Sequence, residues 1–180
     1  MDELIDIYNE DNEPLGVRKM KSEAHREGLW HRASHVWIYN KRGEILLQLR
    51  AKSKELNPLK WDVSAAGHIS LGEKSIAAAL RETKEELGLS IEANSLTFLK
   101  IAKEAGVYGS IINKEFQYLY LLEFNGNEKD LFLQEEEVQE IRFVHMERIE
   151  KEINALPEKY VPHGKCWVEI IKEVGRRLKN

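Results

Sequence analysis

Residues 67–89 read GHISLGEKSIAAALRETKEELGL, and this stretch restricts the chain more than any other. Gly67, Glu73, Arg81, Glu82, Glu85, Glu86 and Gly88 stand in a fixed order: G, five residues, E, seven residues, R-E-U, one residue, E-E, one residue, then G and an aliphatic, with U a bulky aliphatic. At average residue usage these positions would coincide at one site on the order of once in ten million. Ile76, Leu80, Thr83 and Leu87 recur at helical spacing and predict one buried stripe. Glu82, Glu85 and Glu86 are related as i, i+3 and i+4 and share a different face. Carboxylates this close repel one another on a free helix. A hard divalent cation relieves that cost, because Mg²⁺ or Mn²⁺ takes oxygen ligands from a few carboxylates and from substrate phosphate. The plain alternative is a solvated acidic face with Lys74, Arg81 and Lys84 as partners; the ordered glycines and Arg81 favour the metal. Gly67 and Gly72 bracket a loop where backbone can approach a ligand and a carbonyl can complete a metal shell. Gly88 follows Leu87 where a left-handed helix cap is expected.

The spacing resembles the signature of the Nudix family, with Thr83 at the U position as the single departure. The resemblance implies an α/β fold, an α/β/α sandwich with a mixed sheet and a loop–helix–loop metal site. It places Mg²⁺ or Mn²⁺ on Glu82, Glu85, Glu86 and the Gly67 carbonyl, with Glu82 a principal ligand and a candidate base. Arg81 would orient a carboxylate by salt bridge, and Glu73 would brace the loop. The implied reaction is cleavage or rearrangement of a nucleoside or other diphosphate, with the metal polarising phosphoryl oxygens.

The length of 180 residues predicts one domain over 1–180, and 42% hydrophobic residues suffice for a full core. A formal net charge of −4 gives no basic excess for non-specific nucleic-acid binding. The single cysteine, Cys166, excludes an intrachain disulfide and reads as a packed small hydrophobe beside Trp167. MDELIDIYNE lacks the apolar run of a signal peptide, and no stretch approaches the ~20 apolar residues of a membrane span. A cytoplasmic protein acting on a small diphosphate, with neither membrane nor nucleic acid as partner, is the expectation. Oligomeric state is open, a homodimer included.

The pattern predicts an N-terminal hairpin over about 3–20, with Leu4 to Tyr8 and Val17 to Met20 as its strands, and one helical turn at Ser22 to Glu27. Trp30 to Tyr39, Glu44 to Arg50, Trp61 to Ala65, Leu96 to Glu104, Phe116 to Phe124 and Val138 to Val144 read as strands. Met146 to Ile153 reads as a short helix, and about 165–178 as a terminal helix with Val168, Ile171, Val174 and Leu178 on its stripe.

Outside the motif, DIYNEDNEPLGV, AHREGLWHRASHVWIYN, LLQLRAKSK and LQEEEVQEIRFV are similar to the isopentenyl-diphosphate-isomerase-like branch of the family. That resemblance sets Arg50 and Lys54 against a substrate diphosphate, chemistry that suits a forked and a point cation. It also places an active-site cysteine just before Gly67-His68, where this chain has Ala66. Allylic isomerisation needs one group to protonate carbon and another to remove a proton, and alanine does neither. The branch further suggests a histidine metal site. His68 matches and is also a candidate substrate contact, but the His25 to His31 spacing is one residue short of the isomerase pattern. His31 and His35 share a strand face; His145 and His163 show no partner pattern. A further glutamate beyond the motif could serve as ligand or base. Glu137 is the first choice, ahead of Glu115, Glu135, Glu136 and Glu140. Trp30, Trp37 and Tyr108 are candidates to stack on a base. The reading is a metal-dependent diphosphate hydrolase, with prenyl-diphosphate isomerase and non-catalytic nucleotide binder as alternatives.

Overall fold

The computed structural model describes residues 2–179. The N-terminal hairpin pairs β1 (Leu4–Tyr8) with β2 (Pro14–Met20). Helix α1 (Lys21–Glu27) follows, longer than the single turn expected, because Ala24 and His25 gain burial on its inner face. It stops at Gly28, whose left-handed φ of 64° caps the helix, and a Cβ there would meet Ile112 Cγ2 at 2.8 Å.

Strand β3 (Trp30–Tyr39) is the axis of the sheet. Its run WHRASHVWIY is buried on both faces, as a central strand requires. Val36 and Ile38 enter one core cluster, Trp37 and Tyr39 the other, as period-two alternation dictates. Strand β4 (Glu44–Arg50) returns after a turn at Gly43, but β3 and β4 pair only at Tyr39↔Ile45. From there they splay. Ser64 spans the gap by accepting the Ile38 N–H at 2.8 Å and donating to the Leu46 carbonyl at 2.5 Å. This seam corrects the expected strand Trp61 to Ala65. The chain instead forms β5 (Trp61–Asp62) on β4, turns at Ser64, and forms β6 (Ala65–His68) on β3.

Helix α2 (Ser75–Leu87) packs over β6 and β3 and ends at Gly88, φ 65°, whose N–H donates to the Lys84 carbonyl. Strands β7 (Leu96–Tyr108) and β8 (Ile111–Glu123) form a hairpin longer than expected at its tip. Ala105, Gly106, Asn113 and Lys114 are poor strand formers, yet the ladder continues through Ala105↔Lys114 and Gly106↔Asn113 to a turn at Gly109. Strand β8 runs parallel to β3, from Trp30↔Lys114 to Tyr39↔Glu123. Strand β9 (Val138–His145) pairs antiparallel with β4.

Helices α3 (Met146–Ala155) and α4 (Cys166–Arg177) cover the face opposite α2. The α4 stripe is rotated from expectation: Trp167, Ile170, Ile171 and Val174 are buried and Leu178 packs against them, whereas Val168 stays outside that core. Trp167 decides the rotation, with its ring edge-on to Trp37 at 4.9 Å and to Tyr160 at 5.6 Å. The result is the expected α/β/α sandwich around a mixed nine-stranded sheet. No helix among the described residues is long and apolar enough to cross a membrane.

Candidate active site

The splay of β3 from β4 opens a cavity of about 330 Å³. Glu82, Glu85 and Glu86 line it from α2, Ala66, Gly67 and His68 from β6, and Arg50, Lys54 and Glu137 from β4 and the segments beside it. The motif carboxylates and the two expected diphosphate cations therefore face one space.

The α2 wall is braced by Arg81. Its Nε and Nη2 donate to the Glu73 carboxylate at 3.0 and 2.9 Å, Nη2 also to the His68 carbonyl at 3.1 Å, and Nη1 to Glu82 and Glu85 at 2.6 and 3.1 Å. The guanidinium thus ties the loop to the helix, as expected for Glu73 and Arg81. Lys74 and Lys84 take no part in the described ion pairs. Gly67 has a steric role as well: a Cβ there would stand 1.9 Å from Glu82 Oε1. Only glycine leaves the Glu82 carboxylate room against the loop backbone.

Glu86 departs from expectation. It is buried with Thr83 and Leu87 rather than lying off the packed stripe. Its Oε2 accepts the Ala66 N–H at 3.0 Å and the Gln48 Nε2–H at 3.2 Å. Burial, with the Glu82 charge beside it, raises its pKa to about 8. Burial also raises Glu82, against the pull of Arg81. A divalent ion bound beside such buried acids would convert them to carboxylates by displacing the proton. The donor set is all oxygen, which suits Mg²⁺ or Mn²⁺.

A second cluster lies on the adjoining wall. His25 from α1, His31 from β3, His68 from β6 and Glu115 from β8 each offer one ligand atom, all within 4.8 Å of one another. No local spacing brings His25 there; α1 carries it in, with its ring 5.1 Å from His31 and 5.5 Å from His68. Nε2 of His31 and of His68 point at the same Glu115 Oε1 from 3.6 and 3.5 Å. Those gaps exceed good hydrogen bonds. They match the roughly 3.4 Å between two ligands that each stand about 2.1 Å from a tetrahedral ion. Nε2 of His25, His31 and His68 are all buried without a hydrogen-bond partner. Burial, with His31 and His68 alongside, lowers His25 to about 4, so its ring is neutral and its lone pair free at neutral pH. Burial opposes the ionisation of Glu115, but His31 and His68 hold it well below the usual range. The unsatisfied nitrogens and the buried carboxylate fit a cation.

The cationic side of the cavity is partly engaged. Lys54 pairs with Glu137. Arg50 donates through Nη1 to Asp62 at 2.8 Å and through Nε to the Leu56 carbonyl at 3.0 Å, which leaves Nη2 for a ligand. Of the candidate glutamates beyond the motif, Glu137 and Glu115 line the cavity; Glu135, Glu136 and Glu140 do not. Of the aromatics, only Tyr108 lines it. Trp30 and Trp37 are core, against Phe116 and Trp167. Cys166 is buried with Ala102 and Leu119, away from the cavity lining.

This chain belongs to the Nudix family, whose NUDIX domain matches residues 29–164. It stands among Nudix enzymes of the pyrophosphatase type. Nudix hydrolase 3 of Arabidopsis thaliana is 36% identical over 167 residues, 90% of this chain, and the chain spans 22% of that protein's length. An uncharacterized Nudix hydrolase of Clostridium acetobutylicum is 32% identical over 99% of this chain and 85% of its own. An isopentenyl-diphosphate Delta-isomerase of Serratia proteamaculans is 31% identical over 97% of this chain and 93% of its own. In fold, the chain is similar to DR0079 from Deinococcus radiodurans, with a TM-score of 0.73 at 22% identity over 96% of this chain and 99% of that one.

Proposed function

We propose that the chain is a Mg²⁺- or Mn²⁺-dependent hydrolase of an organic diphosphate, nucleoside diphosphate derivatives included, acting as one Nudix domain in the cytoplasm. The observation that carries the reading is the braced carboxylate wall of α2 facing Arg50 and Lys54 across one cavity. Glu82, Glu85 and Glu86, with the Gly67 carbonyl, are the residues that would hold the cation. When bound, it would polarise phosphoryl oxygens and favour ionisation of a water nucleophile. Arg81 fixes the direction of Glu82, and Gly67 leaves that carboxylate its space. Glu82 is the proposed base, since its carboxylate lines the cavity where the cation and water would stand. Arg50, through Nη2, and Lys54 offer positive charge to the diphosphate. Glu137, paired with Lys54, is placed to hold that cation or to assist with water. His68, read first as a substrate contact, has Nδ1 3.2 Å from Glu3 and Nε2 turned to Glu115, which favours membership of the histidine cluster. His25, His31, His68 and Glu115 are a proposed second cation site. The test is phosphate release from a panel of organic diphosphates. EDTA should abolish it and either ion restore it; full turnover by metal-stripped protein would refute the reading.

A second reading is isomerisation of a prenyl diphosphate, favoured by the histidine cluster and by the relative that bears that name. Ala66 opposes it, because the loop offers backbone N–H but no thiol, and the lone cysteine is elsewhere. Isopentenyl diphosphate incubated with protein and Mg²⁺ should yield no dimethylallyl diphosphate by NMR; robust isomerisation would make this the preferred function.

A further inference from the structure

The cavity has a third wall that neither cation nor phosphate accounts for. Asp62 sits at its centre, buried, with Oδ2 taking the Arg50 Nη1–H and Oδ1 2.5 Å from His163 Nε2. His163 comes from the turn before α4, 101 residues along the chain, and that turn is fixed by the Trp167 Nε1–H bond to the Val161 carbonyl at 2.9 Å. The contact with Asp62 engages His163 Nε2 and orients the ring, leaving Nδ1 as its other polar atom. Beside it lies His35, with its ring 5.3 Å away, 5% exposed and its Nδ1 unpartnered. Gln117 completes the wall from β8. It is 2% exposed, its Nε2–H donates to Glu115 at 3.0 Å, and its Oε1 is left without a partner. His35, Asp62, Gln117 and His163 all line the cavity.

Buried polar atoms without partners cost stability unless a ligand or water satisfies them. Here they are Gln117 Oε1, an acceptor, and His35 Nδ1, in the same cavity as Arg50 and Lys54. We propose that His163, held by Asp62, together with His35 and Gln117, forms the recognition site for a hydroxyl-bearing organic group on the diphosphate substrate, a pentose being the simplest example. The hydroxyls hydrogen-bond to Gln117 Oε1, His35 Nδ1 and the His163 ring. A hydrocarbon chain in the same place would leave Gln117 Oε1 and His35 Nδ1 buried and unpaired, which disfavours it. The inference rests on the diphosphate reading above but names the other half of the substrate.

Binding separates it from hydrolysis. Calorimetry in Mg²⁺ would compare the methylene-bridged analogues of ribose 5-diphosphate and isopentenyl diphosphate, both five-carbon compounds that cannot be cleaved between the phosphorus atoms. The ribose analogue should bind at least ~10-fold more tightly. Gln117→Met and His163→Phe should each remove most of that preference while leaving the isopentenyl analogue's affinity within about threefold. His163→Gln, which keeps a polar side chain, should retain part of it. Two substitutions on different elements guard against one that fails to fold, and thermal unfolding checks each. Equal binding of the two analogues by the native protein, or a preference that survives both apolar substitutions, overturns the inference. If the hydrolase reading alone is wrong, neither parent diphosphate releases phosphate and the ribose preference remains.

Discussion

The α2 wall and the histidine wall share one cavity but keep their charges in opposite ways. On α2, the carboxylates come from one turn of helix; Glu82 and Glu85 stay partly open to solvent and share one guanidinium, while Glu86 beside them is buried. Removing Arg81 would leave Glu73, Glu82 and Glu85 without their common partner. On the other wall, His25, His31, His68 and Glu115 arrive from four elements, are buried, and compensate one another. A contiguous helical site can be exposed and tunable because local spacing sets its geometry. A site assembled from distant elements has to be buried, because only packing fixes its geometry.

Four substitutions sharpen or break that contrast. The largest effect is expected for Glu82→Gln, which should lower kcat by at least roughly a hundredfold with the fold intact, since its half-open position tolerates an isostere. Wild-type turnover would reduce the α2 wall to a solvated face.

Next is Asp62→Asn, which should destabilise the protein by about 2 kcal/mol at pH 7 through its charged hydrogen bonds to Arg50 and His163. Burial raises the Asp62 pKa, but His163 and Arg50 outweigh it and hold the group well below its usual value. A depressed carboxyl contributes stability above its unfolded pKa of about 4, and that contribution is lost as pH falls below it. Urea unfolding should therefore show the gap between variant and wild type narrowing below pH ~4. A gap that is absent at pH 7, or unchanged in acid, removes the charge argument.

Glu115→Gln should abolish one class of bound Mn²⁺ in equilibrium dialysis and lower turnover by about tenfold, while Glu82→Gln affects the other class. If one substitution empties both classes, the walls form one site rather than two. The mildest effect is expected for Gly67→Ala. Its Cβ would displace the Glu82 carboxylate and lower kcat by several-fold, on the order of 1 kcal/mol in barrier, with circular dichroism unchanged. Unaltered kinetics would mean that Glu82 has slack the static geometry does not show.

Much of this was legible in the sequence where periodicity or spacing is local. Gly88 ends α2 as a left-handed cap, and Leu4 to Tyr8 pairs in a hairpin, because caps, turns and alternation act over a few residues. The errors came where a neighbour overrode the local signal. Ala105, Gly106, Asn113 and Lys114 are weak strand formers held in a ladder by their register, and that extension carries Tyr108 and Asn113 to the cavity. Spacing sets Glu86 with Glu82 and Glu85 off the apolar stripe, but β6 covers it and the Ala66 N–H donates to it. His163 showed no pattern because its partner, Asp62, is on β5. A buried histidine after a proline in a loop signals nothing until the other strand is known.

The sequence by itself determined the motif's loop and helix, the α/β class and the central apolar strands. These follow from the positions of glycines, carboxylates and apolar residues a few places apart, and the backbone's own geometry turns such spacing into a face. Only the tertiary structure decided that β3 and β4 part at Ser64, that His25, His31, His68 and Glu115 converge, and that Asp62 joins Arg50 to His163. Those contacts join residues separated by tens of positions, and their cost in chain entropy is met only when the whole core forms.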